Sequence, residues 1–470
     1  MSQREVSSFT ESLVTSLSDS RGEPAWLRRA RLEAFHDFVS LPPEINPLYR
    51  KYARISYFDI SQFTILPEKP QLDFRTFFAD YLTGKERNIL LQGNDTEIHS
   101  ELEEKLSSEG VIIKPLSEAL KQHEPVLKSL FEARHTRPEV DKYAAFVNAF
   151  FNSGTFVHIP KGVEVEGPLR KMLLTDNPRN SVVELTIVNA EEESKLVLLE
   201  ELYSRASQHP SLVASKVEIH ARPGSNVDFS SIQLLDGQAV HISNREIDVS
   251  TASRVSVSSL SLGAAVSRSR MNFLLNGRGS TAEGFEIFFT DAKQRYDFES
   301  NLIHNSRDST GSTQARGVLK GESQSIFKGM IKIVNAAKNS RSYLAHHAMI
   351  LEGTAKSDGI PSLEIDNNEV KATHSASVAQ IDDEQLFYLM ARGLPLNTAK
   401  KMIVLGFFEP VLSRVPIEMT REGARFMIEG KWNGEMKRML DRETLFALTG
   451  ETTQEARESE DIFERHYKYR

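Results

Sequence analysis

Cysteine is absent from all 470 residues. Its absence excludes disulfides, thiolate zinc sites and cysteine nucleophiles together, so any metal here would need histidine or carboxylate ligands. Long apolar runs are missing too. No stretch approaches the roughly 20 residues that span a bilayer, and no membrane partner is expected. The opening residues Met1-Ser2-Gln3-Arg4-Glu5-Val6 are not followed by an apolar core, so the expected location is the cytoplasm. There is no excess of positive charge. With 57 Lys and Arg against 65 Asp and Glu, the formal net charge is -8, and no nucleic-acid partner is expected. The basic run Arg28-Arg29-Ala30-Arg31 reads as the solvated face of a helix.

Common catalytic signatures are also lacking. No Gly-x-x-x-x-Gly-Lys-Ser/Thr loop is present to cradle a nucleotide, and neither a Gly-x-Ser-x-Gly elbow nor a His-Glu-x-x-His helix occurs. The one glycine cluster, Gly277-Arg278-Gly279 with Gly284, lies between β-like runs and reads as a turn. The many Ser-x-Ser pairs read as turn and strand-edge residues. No enzymatic activity is expected of the chain itself.

What is present divides the chain into four. Residues 1–153 read as mainly helical. Trp26, Leu27, Ala30, Leu32, Phe35 and Phe38 recur at helical spacing. Leu41-Pro42-Pro43 ends that segment, because proline lacks a backbone donor and disfavours helix in the residue before it. Ile89-Leu90-Leu91 before Gly93-Asn94-Asp95 predicts a short strand and turn, with helices over 97–108, 115–133 and 138–152.

Over residues 154–381 the period changes. Short alternating runs such as Val182-Val183-Glu184-Leu185-Thr186-Ile187-Val188 and Val217-Glu218-Ile219-His220 are separated by turn signals such as Pro223-Gly224-Ser225-Asn226. A sandwich and a solenoid both fit one large β unit of this kind. Self-similarity favours the solenoid. Ser323-Gln324-Ser325-Ile326-Phe327 recurs at an offset of 17 as Ser340-Arg341-Ser342-Tyr343-Leu344, and more loosely as Ser357-Asp358-Gly359-Ile360-Pro361. Stacked rungs would place each set in a column, because one rung cannot bury its own apolar face. A further step of 17 reaches His374, which the ladder puts at the end of the stack.

Residues 382–430 read as helical again. Asp382-Asp383-Glu384 places acids at a helix start, where they complement the macrodipole. Leu386, Leu389 and Met390 form an apolar stripe, and Gly393 is a C-cap. A second helix runs from Asn397 through Met402, Leu405 and Phe408, until Pro410 kinks or breaks it. Residues 431–470 form a charged extension with a weak amphipathic run at Trp432, Met436 and Leu440. Among the histidines, His346 and His347 are neighbours. In a strand they point to opposite faces, one inside and one exposed, so they do not readily chelate one metal together.

The run from Pro361-Ser362-Leu363-Glu364-Ile365 through Lys371-Ala372-Thr373-His374-Ser375-Ala376 to Leu386-Phe387-Tyr388-Leu389-Met390-Ala391-Arg392-Gly393 closely resembles the SufB/SufD family of iron–sulfur cluster assembly scaffolds. That pattern has a Pro-x-Leu-Glu-Ile strand, a Lys-x-x-His-x-Ala segment and a Leu-Phe-Tyr-Leu-x-x-Arg-Gly helix. Gly317-Val318-Leu319-Lys320-Gly321 and Pro24-Ala25-Trp26-Leu27 are similar to other parts of the family. The resemblance covers roughly residues 20–430.

The resemblance implies a mainly β fold, a right-handed parallel β-helix flanked by helical ends. It implies pairing with a SufB-like subunit through the C-terminal end of the β-helix, and docking of a SufC-like ABC ATPase by the helices of 382–430. It also implies a transient iron–sulfur cluster at the subunit interface, none being bound stably by this chain alone. His374 matches the family's cluster-site histidine and is the candidate iron ligand and interface residue. The positions matching family cysteines fall at about Ala355 and at Ala372, and Ser375 stands where SufB has glutamate, so the chain looks like the SufD partner. A purely structural subunit, or a scaffold that pairs with itself, are the alternatives. A polysaccharide-cleaving β-helix is disfavoured for want of a recurring column of carboxylates or arginines.

Overall fold

The computed structural model describes residues 9–44, 49, 60–65, 87–94, 96–133, 141–176, 181–204, 209–415 and 418–434. Two helices open it, α1 (Glu11–Arg21) and α2 (Ala25–Ser40). Thr10 caps α1 by accepting from the Leu13 amide, and Gly22 closes it at φ 60°, the left-handed conformation a C-cap requires. The helix α2 ends at Leu41 as its two prolines dictate. Within it the basic run is not wholly solvated. Arg31 is fully buried, pairs with Glu23 at 2.7 Å and donates to the Ala149 and Phe151 carbonyls. Helical geometry turns every third or fourth residue inward, and here an inward position is charged.

Strands β1 (Ile89–Gly93) and β2 (Thr96–Glu101) form an antiparallel hairpin. The helix expected over 97–108 is therefore a strand first, and only α3 (Glu104–Ser108) is helical. Pairing with β1 overrides local propensity there. After β3 (Ile112–Pro115) come α4 (Leu116–Gln122), α5 (Glu124–Ala133) and α6 (Lys142–Phe150), so 115–133 is two helices broken at His123.

From β4 (Ser153–Ile159) onward the strands alternate between two sheets: β5 (Leu169–Thr175), β6 (Ser181–Ala190), β7 (Lys195–Ser204), β8 (Leu212–Ala221), β9 (Asn226–Leu234), β10 (Val240–Val249), β11 (Arg254–Ser261), β12 (Val266–Leu275), β13 (Thr281–Thr290), β14 (Arg295–His304), β15 (Thr310–Leu319), β16 (Gln324–Ile333), β17 (Arg341–Ile350), β18 (Lys356–Ile365) and β19 (Lys371–Gln380). Odd strands from β5 to β19 stack in parallel in one sheet and even strands from β4 to β18 in the other, a parallel β-solenoid of about 8 turns.

Each turn thus contains two strands, and the spacing within a column is twice what the serine ladder suggested. Ser309 bonds Ser340 at 2.8 Å, 31 residues on, and Ser325 bonds Ser357 at 2.8 Å, 32 residues on. The 17-residue step joins strands of opposite sheets, so Ser323, Ser340 and Ser357 do not share a column. Nor are the serines confined to turns and edges. Ser256, Ser258, Ser267 and Ser269 are buried within strands.

The core follows from register. Ile219, Ile247, Phe273, Leu302 and Ile331 lie opposite one another on successive even strands, all buried on the inward face. Each such side chain contributes ~1.5–3 kcal/mol of burial. Turns stack as tightly as strands. A Cβ on Gly277 would lie 1.9 Å from the Thr251 nitrogen of the turn below, which explains a glycine in that cluster; Gly279 beside it has φ 69°.

The interior also holds charge. Lys171 is fully buried between Glu184 at 2.7 Å and Glu200 at 2.9 Å. Burial opposes its charge, but the two carboxylates outweigh this and raise its pKa.

Helices cover the outward faces. Phe146 and Phe150 of α6 pack on Val183, Leu185 and Ile187 of β6. After α7 (Asp383–Ala391), the helices α8 (Leu396–Leu412) and α9 (Glu418–Asn433) pack on the odd-strand sheet through Val404, Phe408, Met427 and Ile428. Pro410 does not end α8 as expected. It sits in the last turn, where only the bond to the Gly406 carbonyl is lost, and buried Val411 and Leu412 hold the helix to its end. The α9 helix runs across residue 430, the expected start of the charged extension. Lys431 donates from a buried site to Gln294 Oε1 at 2.7 Å and to the Leu262 carbonyl, and burial pushes its pKa down to about 8. Trp432 packs against the same face, while Met436 and Leu440 lie outside the described residues.

Candidate functional site

The two ends of the solenoid differ. At the N-terminal end, β2 and β3 pair antiparallel to β1 and β4, and Leu106 of α3 joins Leu90, Val111 and Ile113 in the interior core. At the C-terminal end no such cover exists among the described residues. The terminal strands β18 and β19 each pair on one side only, leaving a row of unpaired backbone groups. The inward row of Ile219, Ile247, Phe273, Leu302 and Ile331 terminates in Leu363, which is 41% exposed. Ile365 and Val378 beside it are 40% and 42% exposed. The apolar core is open to solvent in cross-section.

His374 stands in this open layer. On β19 it lies opposite Leu344 of β17, an inward core residue, so it continues an inward row. Position 374 is nonetheless exposed, because no further turn covers it. The expectation of a terminal place thus agrees with the fold, although its neighbour in the column is Leu344 and not Ser357.

One turn inside, the two adjacent histidines face opposite ways, as strand geometry requires. His346 is buried, its ring stacked on Phe327 with centroids 4.8 Å apart and planes within 1°. Burial pushes its pKa down to about 4, which keeps it neutral. His347 is half-buried on the outer face, its Nδ1 2.7 Å from Ser377 Oγ. The sequence pattern predicted this opposition but not which histidine would be inside.

Beside the open end stands α7. Asp382 caps it, accepting from the amides of Glu384 and Gln385. The stripe expected at Leu386, Leu389 and Met390 does not pack into the core: no residue of α7 is buried, and Phe387 is 74% exposed. With Asp383, Glu384, Tyr388 and Ala391, Phe387 lines a shallow surface concavity. Among the described residues no group of three or more histidine or carboxylate side chains is placed to hold a metal ion. No described helix is long and apolar enough to cross a membrane.

A parallel β-solenoid between helical ends, with one apolar terminus left open and a histidine in its last layer, defines a β-helical class of protein. Comparison with known families gives the class a name. Residues 173–407 match the family model described as SUF system FeS cluster assembly, SufBD core domain, and residues 20–170 match the SufBD protein N-terminal region. The chain belongs to the SufBD family of iron–sulfur cluster assembly proteins. It is 25% identical over 431 residues to the iron–sulfur cluster assembly protein SufD of Bacillus subtilis, covering 90% of this chain and 98% of that one. It is 26% identical over 439 residues to an iron–sulfur cluster assembly SufBD family protein of Staphylococcus epidermidis, covering 90% and 93%.

Proposed function

We propose that this chain is a SufD-type scaffold subunit of the SUF complex, acting in the cytoplasm. Its open end pairs with the corresponding end of a SufB-like subunit, and a transient cluster forms between them. The α7 and α8 helices dock a SufC-like ATPase, which supplies the nucleotide hydrolysis for which this chain has no P-loop. His374 is a neutral imidazole ligand to iron, a common use of this side chain near neutral pH. Thiolate ligands come from the partner, since this chain has no cysteine.

The observation that carries this reading is the coincidence of His374 with an uncapped apolar core. Leu363, Ile365 and Val378 form the centre of a surface that association would bury, and unpaired strand edges flank it. The exposed Phe387 and Tyr388 give α7 a similar need for cover.

Co-purification from the native host tests the assignment. Recovery of a SufB-like chain and an ABC ATPase supports it, and recovery of neither overturns it. His374→Ala in the reconstituted complex is expected to lower cluster yield with assembly intact. Unchanged yield would assign the chain a purely structural role.

A further inference from the structure

The N-terminal helices do not close completely onto the first turn of the solenoid. A cavity of about 410 Å³ lies between them, walled by the C-terminal end of α1, the start of α4 and the opening residues of β4. Its size falls within the roughly 300–1,000 Å³ of small-molecule sites, which favour joints between domains. The open end and His374 lie at the other end of the stack.

The walls are fixed in advance. Pro24 and Pro115 lead into α2 and α4 with φ of -65° and -53°, which the pyrrolidine ring imposes. The helix α4 comes close to β4 because residue 154 is glycine: a Cβ there would lie 2.6 Å from the Leu185 carbonyl oxygen and 3.0 Å from Leu116 Cβ. Arg21 reaches from α1 to donate to the Asn152 carbonyl. A site held in this way loses little conformational freedom when a ligand enters.

Pro24, Leu116, Leu120 and Phe151 give the cavity an apolar wall. Its charges are unevenly spent. Glu23 is neutralised by Arg31, which donates to both carboxylate oxygens at 2.7 Å. Glu124 accepts from Trp26 Nε1 at 2.8 Å. Lys121 is exposed and makes no ion pair or side-chain hydrogen bond among the described residues, and the exposed Ser117 hydroxyl makes none either. With Glu23 discounted, Arg21 and Lys121 line the cavity against Glu124 alone. One positive charge is left over, and an ammonium and a hydroxyl are available to donate. This lining suits an apolar body that carries one negative charge, since a charged donor and acceptor make the stronger hydrogen bond.

We propose that this cavity binds a small organic carboxylate, its apolar body against Leu116, Leu120 and Phe151 and its charge beside Lys121 and Ser117. The ligand touches the helices and β4 together, so its binding fastens one to the other.

The test is calorimetric titration of the purified full-length chain with phenylacetate, with benzyl alcohol as the uncharged comparison. Phenylacetate is expected to saturate a single site and benzyl alcohol to bind at least tenfold more weakly. Lys121→Glu reverses the unpaired charge and is expected to weaken phenylacetate at least tenfold. Ser117→Trp fills the cavity from its rim and is expected to abolish binding. Both positions are exposed, so both variants are expected to unfold at the wild-type temperature, and only the wild type is expected to gain thermal stability from phenylacetate. Should one variant fail to fold, the other decides. Absence of saturable binding by the wild type, equal affinity for benzyl alcohol, or an affinity within twofold of wild type in a folded variant overturns the proposal. Loss of binding in Val378→Asp, at the open end, would put the ligand there and also overturns it.

Discussion

Arg268 and Asp141 are 127 residues apart in sequence, yet both Arg268 terminal nitrogens donate to Asp141 Oδ2 at 3.1 Å in a buried contact. The same carboxylate accepts from Arg270 at 3.3 Å, while its other oxygen caps α6 by accepting from the amides of Tyr143 and Ala144. One side chain ties the N-terminal helices to the even-strand sheet. Burial alone would raise the Asp141 pKa, but the two guanidinium groups hold it well below the usual carboxylate range.

Asp141→Asn keeps the cap and removes the charge, leaving two buried arginines short of an anion. The expected loss is about 3–5 kcal/mol, the usual cost of breaking a buried pair, measured by urea unfolding. Because the folded pKa of Asp141 is depressed, its contribution is present above the unfolded value near 3.8 and is lost as pH falls below it. The Asn variant therefore approaches wild-type stability in acid. An equal gap at pH 7 and pH 3 would refute the ionic account.

Lys171 makes the complementary case inside the solenoid. Lys171→Met strands Glu184 and Glu200 in the interior and is expected to cost about 3–5 kcal/mol. Adding Glu184→Leu and Glu200→Leu removes the stranded charges and is expected to recover most of that loss. A triple variant no more stable than the single would show that the network is needed for packing itself.

Three interior histidines set a pH dependence. Burial lowers the pKa of His304 and of His346 to about 4 and that of His241 to about 3, while the unfolded value is 6.5. All three remain neutral in the folded chain, so below pH 6.5 the unfolded state binds more protons and stability falls. The loss begins at pH 6.5 and continues down to about pH 4 for His304 and His346 and about pH 3 for His241. Thermal unfolding across pH 7.5 to 5 is expected to show a declining midpoint, and replacing His304 with glutamine is expected to make the decline shallower. A midpoint constant over that range would contradict the assignment.

Val378→Asp tests the open end. The residue is 42% exposed and packs in no described core cluster, so the isolated chain is expected to lose less than about 0.5 kcal/mol. Buried in a partner interface, an unpaired carboxylate is costly, and association with the proposed SufB-like partner is expected to weaken at least a hundredfold, read by co-purification and equilibrium binding. Undiminished association would move the interface away from this end.

Much of this was legible in the residues. Alternation in Val217-Glu218-Ile219-His220 and the turn glycines mark strands because a two-residue period and a demand for positive φ are local properties. The Pro361-to-Gly393 run carried the family and placed His374. The ladder misled because half a turn and a full turn both repeat similar residues, and only strand pairing distinguishes 17 from 31. Residues 97–101 looked helical because nothing local reveals that β1 waits to pair with them.

The sequence by itself therefore determined the class of fold, the absence of thiolate chemistry and the candidate histidine, all of which depend on residue type and short-range pattern. Tertiary structure alone decided what each side chain meets. It put Arg31 in the core, left α7 bare, opened the stack at Leu363 and buried His346 without a partner beneath Gly359. Register across strands some thirty residues apart governs those contacts, and no local pattern encodes it.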